Sequence, residues 1–578
     1  MATTSDLSRV TSIVLRYMRG PILVLVVVYG VGIIGMSLIP GEDGQGNTSP
    51  MSLFHSFYFF TYTATTTGFG EIPYKFTDQQ RLWAILCLYM GVIAWLYAIG
   101  SIFKLIQNHH FITAVAERRF ARTVAAIREP FVIICGFGDT GSLLARGLSD
   151  NLMNAVVIDS DPERIKALAM RDYRASMPGL CGDASVPKHL VDAGINHPLC
   201  RAVVSLIPDP ELDLKIAVMT RFLNPDVFII CRATKTSQQE HLRHLDSVSV
   251  IDPFELFGVQ LGMAVTAAKL HNLSQWLVGA HNIDLSSSAA IPPGNWILCG
   301  YGRMGRRLQK HLNSNNITPL IIDPGLQDAD LSDSSIKGHA DHKTLKKAGV
   351  DQAVGLVAGT NSDSRNLEIL LSAGELNPDI FLVVRQNHHE NEIVFNAAKV
   401  NLTMQPSLLT ARTILLQLIS PLIYQFLEHL RCSEPQLTDR TVKQLHHVLA
   451  NRPPLLWIKK LCDVDSTAFK EQVEKGRVLR LEDLIKSPVN PDQSLSCVPL
   501  VLKREGSTLV MPSGKEVVKQ GDVILFCGDH RSQRMLDANL NNPYTLNYLI
   551  TGTEPPKGYL LRWLYRTCRR STDDSAGR

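Results

Sequence analysis

Residues Ser52–Tyr74 read SLFHSFYFFTYTATTTGFGEIPY and lie between two long uncharged runs. The first half is apolar and aromatic over about 14 residues, too short to cross a bilayer and suited to a helix that enters and turns back. It stops in Thr65-Thr66-Thr67-Gly68-Phe69-Gly70-Glu71, where alternate glycines permit backbone conformations closed to residues with a Cβ. Such a strand can turn successive carbonyls toward one axis, where they replace the hydration shell of a dehydrated cation. On its own, Thr-Gly-Phe-Gly would be read as a flexible external turn. Its place after a short aromatic helix, midway between two spans, favours the carbonyl-lined reading.

The flanking runs set the membrane topology. Ile22–Ile39 holds 18 uncharged residues and Leu82–Phe103 holds 22, each near the length of a spanning helix. Arg16 and Arg19 precede the first run, as in a signal peptide, but it is long for one and ends in Pro40-Gly41-Glu42 without a small-residue cleavage site. Arg9, Arg16 and Arg19 before the first span, and Lys104, Arg118, Arg119 and Arg122 after the second, place both termini in the cytoplasm. Trp83, near one end of the second span, suits an interfacial anchor.

At Thr66-Thr67-Gly68-Phe69-Gly70-Glu71 the chain resembles the potassium-channel signature T-V-G-Y-G-D. By that resemblance the carbonyls of Thr66, Thr67, Gly68 and Phe69, with the Thr66 hydroxyl, coordinate K⁺, and Gly70 completes the selectivity filter. Glu71 would stand at the outer mouth and raise the local cation concentration. Thr67 replaces the usual Val, and Phe69 the usual Tyr, losing a hydroxyl that ties the filter to its surroundings; a weakly selective cation channel is the corresponding alternative. One loop supplies a quarter of a carbonyl cage, so the resemblance implies a homotetramer lined by the second span. Gly91, 21 residues beyond Gly70, is either a gating hinge or a close-packing position.

The remaining chain is written twice. Phe131-Val132-Ile133-Ile134-Cys135-Gly136-Phe137-Gly138-Asp139-Thr140-Gly141 is followed by Ala155–Asp159; at an offset of 164 residues come Trp296–Cys299, Gly300-Tyr301-Gly302-Arg303-Met304-Gly305 and Leu320–Asp323. Later landmarks repeat at 153, among them Leu223-Asn224-Pro225-Asp226 against Leu376-Asn377-Pro378-Asp379, Arg232 against Arg385 and Pro253 against Pro406. This is an internal duplication. Each copy has strand, glycine-rich turn, helix, strand and acidic residue. The first glycine allows the tight turn, the second admits a pyrophosphate, and the third packs helix on strand; the helix N-terminus receives phosphate, and Asp159 or Asp323 can accept ribose hydroxyls. Asp159, Asp161 and Glu163 argue against a 2′-phosphate, so NAD or an adenine nucleotide precedes NADP at the first site.

The two copies resemble the regulator-of-potassium-conductance family, found also in Trk-type uptake subunits. Its second landmark, near the bound nucleotide, is Gly182-Asp183-Ala184-Ser185 and, altered, Gly338-His339-Ala340-Asp341; the resemblance gives Asp183 to the first site. Asn361, Asp363 and Asn366 follow the family pattern in the second copy, where the first has Pro208-Asp209-Pro210. Val498–Gly528 alternates apolar and polar residues like the family's C-terminal ligand-sensing lobe. Channel rings of this family hold eight such domains, which four chains carrying two each supply. The basic linker 107–129 would carry ring motion to the pore, continuing the pore-lining helix.

Composition narrows the remaining classes. The 58 Lys and Arg against 54 Asp and Glu leave a net charge of +4, too little excess for a nucleic-acid binder. Eleven scattered cysteines form no CxxC pair and no zinc spacing, indicating a reducing compartment for the soluble part. No stretch resembles an EF-hand loop, although Ca²⁺ sites between subunits stay open.

The expected fold is a membrane α-helical pore domain (two spans plus a re-entrant pore helix) joined to α/β Rossmann-like tandem domains and a small C-terminal α+β lobe. The expected boundaries are 1–106 pore, 107–129 linker, 130–290 first Rossmann domain with crossover helices, 291–430 second, 431–555 C-terminal lobe and 556–578 tail. The expected function is a tetrameric, non-enzymatic K⁺ channel of the plasma or inner membrane, gated by a nucleotide or cation on the cytoplasmic side. A membrane-tethered NAD-dependent oxidoreductase is the rival from another class, but no catalytic His/Lys/Tyr constellation accompanies the Rossmann motifs.

Overall fold

The computed structural model describes residues 4–42, 47–233, 235–245, 248–277, 294–327, 334–398, 400–450, 452–462 and 466–553; the tail expected over 556–578 lies outside them. The chain forms two compact units, one of residues 1–136, 153–203 and 218–227, the other of 137–152, 204–217 and 228–578.

The first unit opens with α1 (Thr4–Leu38), apolar enough to span a membrane over Val14–Leu38. A short antiparallel pair, β1 (Pro40–Glu42) and β2 (Thr48–Pro50), leads to α2 (Leu53–Ala64), whose N-cap Ser52 accepts from the His55 amide at 3.3 Å. Next comes α3 (Asp78–Ile106), the second spanning helix, opened by a Thr77/Gln80 capping box that satisfies two orphan amides reciprocally. These three helices enclose Met36, Phe59, Phe60, Phe76 and Cys87.

Glycines on α1 set how closely they approach. A Cβ on Gly32 would sit 2.2 Å from the Phe60 ring, and one on Gly35 2.1 Å from Trp83. Trp83, near the start of α3, packs against α1, its indole N–H donating to the Gly32 carbonyl at 3.2 Å. Leu23, Val26, Val27, Leu82, Ile93 and Leu96 instead face outward in this chain.

Helix α3 stops at Gln107. Asn108 donates to the Tyr17 hydroxyl at 2.8 Å, and α4 (His109–Ala125) starts afresh. The linker is thus a separate helix rather than a continuation of α3.

The first copy runs β3 (Phe131–Cys135), α5 (Asp139–Asp150), β4 (Asn154–Asp159), α6 (Pro162–Met170), β5 (Gly179–Cys181), α7 (Pro187–Asp192), β6 (Cys200–Ser205), α8 (Pro210–Leu223), β7 (Phe228–Arg232), α9 (Thr236–Arg243) and β8 (Val248–Ile251). In the first unit β4 pairs in parallel with β3 and β5, and α4 packs on β5 and α7. Lys188 of α7 binds Glu117 of α4 at 2.5 Å, so this part of the linker is docked rather than merely solvated. In the second unit β7 and β8 pair in parallel. Crossover helices α10 (Pro253–Thr266) and α11 (Ala268–Leu277) follow.

The second copy repeats the plan with β9 (Trp296–Cys299), α12 (Arg303–Ser314), β10 (Leu320–Asp323), β11 (Ser335–Lys337), α13 (His342–Lys347), β12 (Gly355–Ala358), α14 (Asp363–Leu376), β13 (Phe381–Arg385), α15 (Glu392–Ala397) and β14 (Leu402–Met404). Its six strands are parallel in the order β11-β10-β9-β12-β13-β14. Counted from the copy's first strand that is 3-2-1-4-5-6, the doubly wound Rossmann order. Its own crossover, α16 (Pro406–Ile419) and α17 (Pro421–Cys432), bends by 116° at Ser420, 153 residues after the α10–α11 bend at Ala267.

The C-terminal lobe carries α18 (Pro435–Leu449), β15 (Leu455–Lys460), α19 (Thr467–Glu474), α20 (Leu481–Leu484), β16 (Cys497–Arg504), β17 (Ser507–Val510), β18 (Val523–Gly528), α21 (His530–Asn541) and α22 (Pro543–Thr551). Its four strands form an antiparallel sheet. Among the described residues no cysteine forms a disulfide.

Candidate functional site

Helix α2 aims its C-terminus into the loop that follows. Thr66 has φ +57°, Gly68 +67° and Gly70 +90°, while Thr67 and Phe69 lie outside the left-handed region. A backbone alternating in this way brings consecutive carbonyls to one side. A Cβ on Gly68 or Gly70 would meet nothing within 4 Å, so backbone conformation alone requires glycine there. Thr66 is the unforeseen member: a β-branched residue at positive φ is strained, and such strain collects at functional sites.

The amides of Thr67 (2.8 Å) and Gly68 (3.4 Å) donate to the Tyr62 carbonyl, closing the helix end. Tyr62 holds the other end too, its hydroxyl donating to the Gly70 carbonyl at 2.5 Å. The Phe69 ring stacks parallel on Tyr58 at 6.3 Å and meets Tyr62 edge-on at 5.6 Å. Phe69 has no hydroxyl to donate, and its ring is held by contact with Tyr58 and Tyr62 of the pore helix.

Glu71, which the resemblance places at the outer mouth, is ion-paired in this chain. Its carboxylate accepts from Arg81 Nε at 2.9 Å and Nη2 at 3.3 Å, and from the Phe76 amide at 2.9 Å. The Arg81 hydrogen bond, aided by that amide, holds the carboxyl below its ordinary range. Gly91 lies in an unbroken helix, where a Cβ would come within 3.0 Å of the Ala64 Cβ, so in this conformation the glycine lets α3 approach the end of α2.

In the second copy the three glycines divide their work as their spacing implies. Gly300 takes φ +102°, its amide bonded to the Ile322 carbonyl at 2.9 Å. Gly302 faces open space, and a Cβ on Gly305 would strike the Gly300 oxygen at 2.2 Å. No side chain caps α12 at Gly302, leaving its first amides for an anion. Asp323 accepts from the Tyr301 amide at 2.7 Å and the Gly325 amide at 2.6 Å, bracing the turn.

A cavity of about 590 Å³ opens above this turn. Arg303, Met304, Asp323, His339, Arg365 and Arg385 are among its lining residues. Arg303 and Arg385 flank the Phe254 ring at 5.5 and 5.2 Å. Burial, then repulsion from Arg303, brings Arg385 down to about 10; burial and Arg303 also lower Arg232, the equivalent residue of the first copy. Sequence reasoning missed this cationic cluster, although the Arg232–Arg385 repeat signalled it.

Of the second copy's family-like trio, only Asn361 lines the cavity. Asp363 accepts from the Asn387 amide and side chain (2.7 and 2.8 Å), the His388 amide and Asn391. Burial alone would raise its pKa; these donors outweigh it and hold the carboxylate low. Asn366 bridges Thr360 and the Arg385 carbonyl. Both brace the loops beside the cleft.

In the first copy Gly136, at φ +102°, donates to the Ile158 carbonyl at 2.8 Å, matching Gly300. Asp159 is buried, accepting from the Asp161 amide at 2.8 Å and from Arg164 at 3.4 Å. The Asp183 carboxylate accepts from the Ser185 amide and hydroxyl at 2.7 and 2.9 Å. Gly138 caps α5 without a side-chain bond, Phe137, Thr140 and Gly141 are buried, and Asp139 occupies the first turn. Among the described residues no group of three His, Cys, Asp or Glu could hold a metal ion.

Residues 22–108 match the family model described as ion channel, and residues 132–253 and 296–406 both match that of the TrkA-N domain. Potassium channel protein 1 of Methanocaldococcus jannaschii is 24% identical over 208 residues, 36% of this chain and 61% of that protein. The voltage-gated potassium channel Kch of Escherichia coli is 25% identical over 239 residues, 40% of this chain and 55% of its own. The chain therefore spans less than two thirds of either relative. A solved structure described as the GsuK channel covers 95% of this chain and 100% of its own at 15% identity, with a TM-score of 0.46.

Proposed function

We propose that this chain, which joins an ion-channel domain to two TrkA-N domains, is one of four identical subunits of a potassium channel in the plasma or inner membrane. Its cytoplasmic TrkA-N domains would form a ring of eight that nucleotide binding biases toward one pore state. The reading rests on the alternating backbone of Thr66, Gly68 and Gly70 at the end of a 12-residue helix between two spans. Four such segments around an axis would supply the rings of carbonyls that take over the hydration shell of K⁺.

The cytoplasmic ligand is read from the clefts. In the first copy Asp159 suits a ribose hydroxyl and thus NAD or another adenine nucleotide without a 2′-phosphate. In the second, Arg303, Arg365 and Arg385 beside uncapped α12 favour the phosphates of an adenine nucleotide. Any ligand shifts the pore only by its differential affinity for the two states. The described residues of one chain hold no group of three His, Cys, Asp or Glu, so a Ca²⁺ site would draw on residues beyond them.

Reversal potentials of the purified protein in bilayers with K⁺ on one side and Na⁺ on the other test the reading. A potential near that of K⁺ supports it. A value near zero with robust current favours the weakly selective channel that Thr67 and Phe69 suggest. Absence of current from folded protein overturns both.

A further inference from the structure

The crossover helices α10 and α11 of the first copy and α16 and α17 of the second enclose a cavity of about 470 Å³, separate from the nucleotide cleft. Phe257, Met263, Leu408, Leu409, Leu416 and Leu427 give it an apolar lining. Its size is ordinary for a small-molecule site, which characteristically combines an apolar body with a few convergent polar groups.

Two lining atoms are buried without a hydrogen-bond partner, His271 Nδ1 and Gln405 Oε1. The orientation of Gln405 is set, because its amide nitrogen donates to Gln386 at 2.5 Å; the remaining oxygen is an acceptor without a donor. Burial lowers the His271 pKa, so the ring is neutral and can take part in a neutral hydrogen bond. Each is a desolvated polar atom that a bound hydrogen-bonding group would satisfy.

Charge at the rim adds a second requirement. Glu428 is paired with Arg431 at 2.5 Å and Glu392 with His389 at 3.2 Å. Arg412, also lining the cavity, is exposed and has no acidic partner among the described residues. The two glutamates and two arginines of the lining balance, and Arg412 is the one arginine among them that no carboxylate holds.

We propose that this cavity binds a small amphiphilic carboxylic acid bearing an amide or hydroxyl donor, its chain among the leucines, its donor on Gln405 or His271 and its carboxylate toward Arg412. Because both crossover pairs form its walls, occupancy would favour whichever arrangement of the four helices fits the ligand better.

The test uses radiolabelled N-octanoylglycine and the full chain in lipid nanodiscs, by equilibrium dialysis against nanodiscs without protein. One saturable site per chain is expected. Met263→Trp should abolish it by filling the cavity, while surface Arg412→Gln should weaken it about tenfold, some 1.4 kcal/mol. Octanoate, which lacks the amide, should bind more weakly than the probe. The proposal fails if no saturable binding exceeds that of empty discs up to about 1 mM, a ceiling near 4 kcal/mol, or if both variants bind as the parent does. Dialysis reads no current, so the result is independent of the channel reading.

Discussion

The Tyr62 hydroxyl donates to the Gly70 carbonyl at 2.5 Å, fastening the last turn of the pore helix to the far end of the loop it introduces. Since the Tyr62 carbonyl also receives the Thr67 and Gly68 amides, one residue fixes both ends of the alternating segment. Tyr62→Phe removes only the distal tie, a hydrogen bond worth about 1 kcal/mol. The K⁺-over-Na⁺ permeability ratio should fall roughly fivefold with expression and assembly retained. Unchanged reversal potentials would show that the tie does not govern selectivity.

Gly68 offers a chirality test. Its φ of +67° is costly for an L-residue, yet the space around its missing Cβ is empty. Gly68→Ala should silence the channel through a backbone cost of about 1–2 kcal/mol per subunit. D-alanine introduced at the same position by semisynthesis favours positive φ and should conduct. Equal loss with both enantiomers would mean that the side chain obstructs something the single chain does not contain.

Glu71 and Arg81 form the brace below the loop. The partner holds the Glu71 pKa below its unfolded value, so the contribution of the pair to stability is complete above the unfolded pKa and is lost as pH falls through the depressed one. Acidifying the outer solution below about pH 4 should therefore speed loss of current. Arg81→Gln should bring that loss to higher pH, as recordings at stepped external pH will show.

The pore helix, the two spans and the duplication were legible because each rests on local chemistry: uncharged length, glycine where φ is positive, and repeated strand–turn–strand phrases. Contacts made between distant positions were not legible. Nothing local in Glu71 announces Arg81, ten residues on, and nothing near Trp83 announces that Gly35, 48 residues earlier, makes room for its ring. The helix break at Gln107 carries neither Pro nor Gly; Asn108 makes it by bonding Tyr17 and receiving the Phe111 amide. Asp363 and Asn366 match the family pattern by resemblance, yet both are consumed by neighbouring loops.

One difference between the copies has a measurable pH consequence. Asp213 stands 153 residues before Asn366, where the second copy uses an amide. It is fully buried, with Gln238 donating at 2.9 Å; burial, only partly offset by Ser205, Gln238 and Cys231, pushes its pKa up to about 7. The folded state therefore holds a proton that the unfolded chain releases near pH 4, and stability falls as pH rises toward about 7 by up to about 1.4 kcal/mol per unit. Above that value the loss is complete. Asp213→Asn should abolish the slope and protect β7 at pH 8, read by hydrogen exchange of the 228–232 amides. A pH-independent parent would show that the carboxylate is hydrated in solution.

The second cleft makes the last prediction. Arg303 lines it beside uncapped α12, and Asp323 braces the turn by accepting two amides at once. Arg303→Gln leaves that turn intact and should weaken ADP binding about tenfold, with a shallower dependence on salt because one charged contact is gone. Asp323→Asn acts differently. Its amide group can accept through one atom only and sets an N–H against the other backbone N–H, loosening the turn by about 1–3 kcal/mol. Affinity should fall while the salt dependence keeps the parent's slope. Titration calorimetry at two ionic strengths separates the variants. Identical slopes in both would mean that Arg303 shapes the cleft without touching the phosphates.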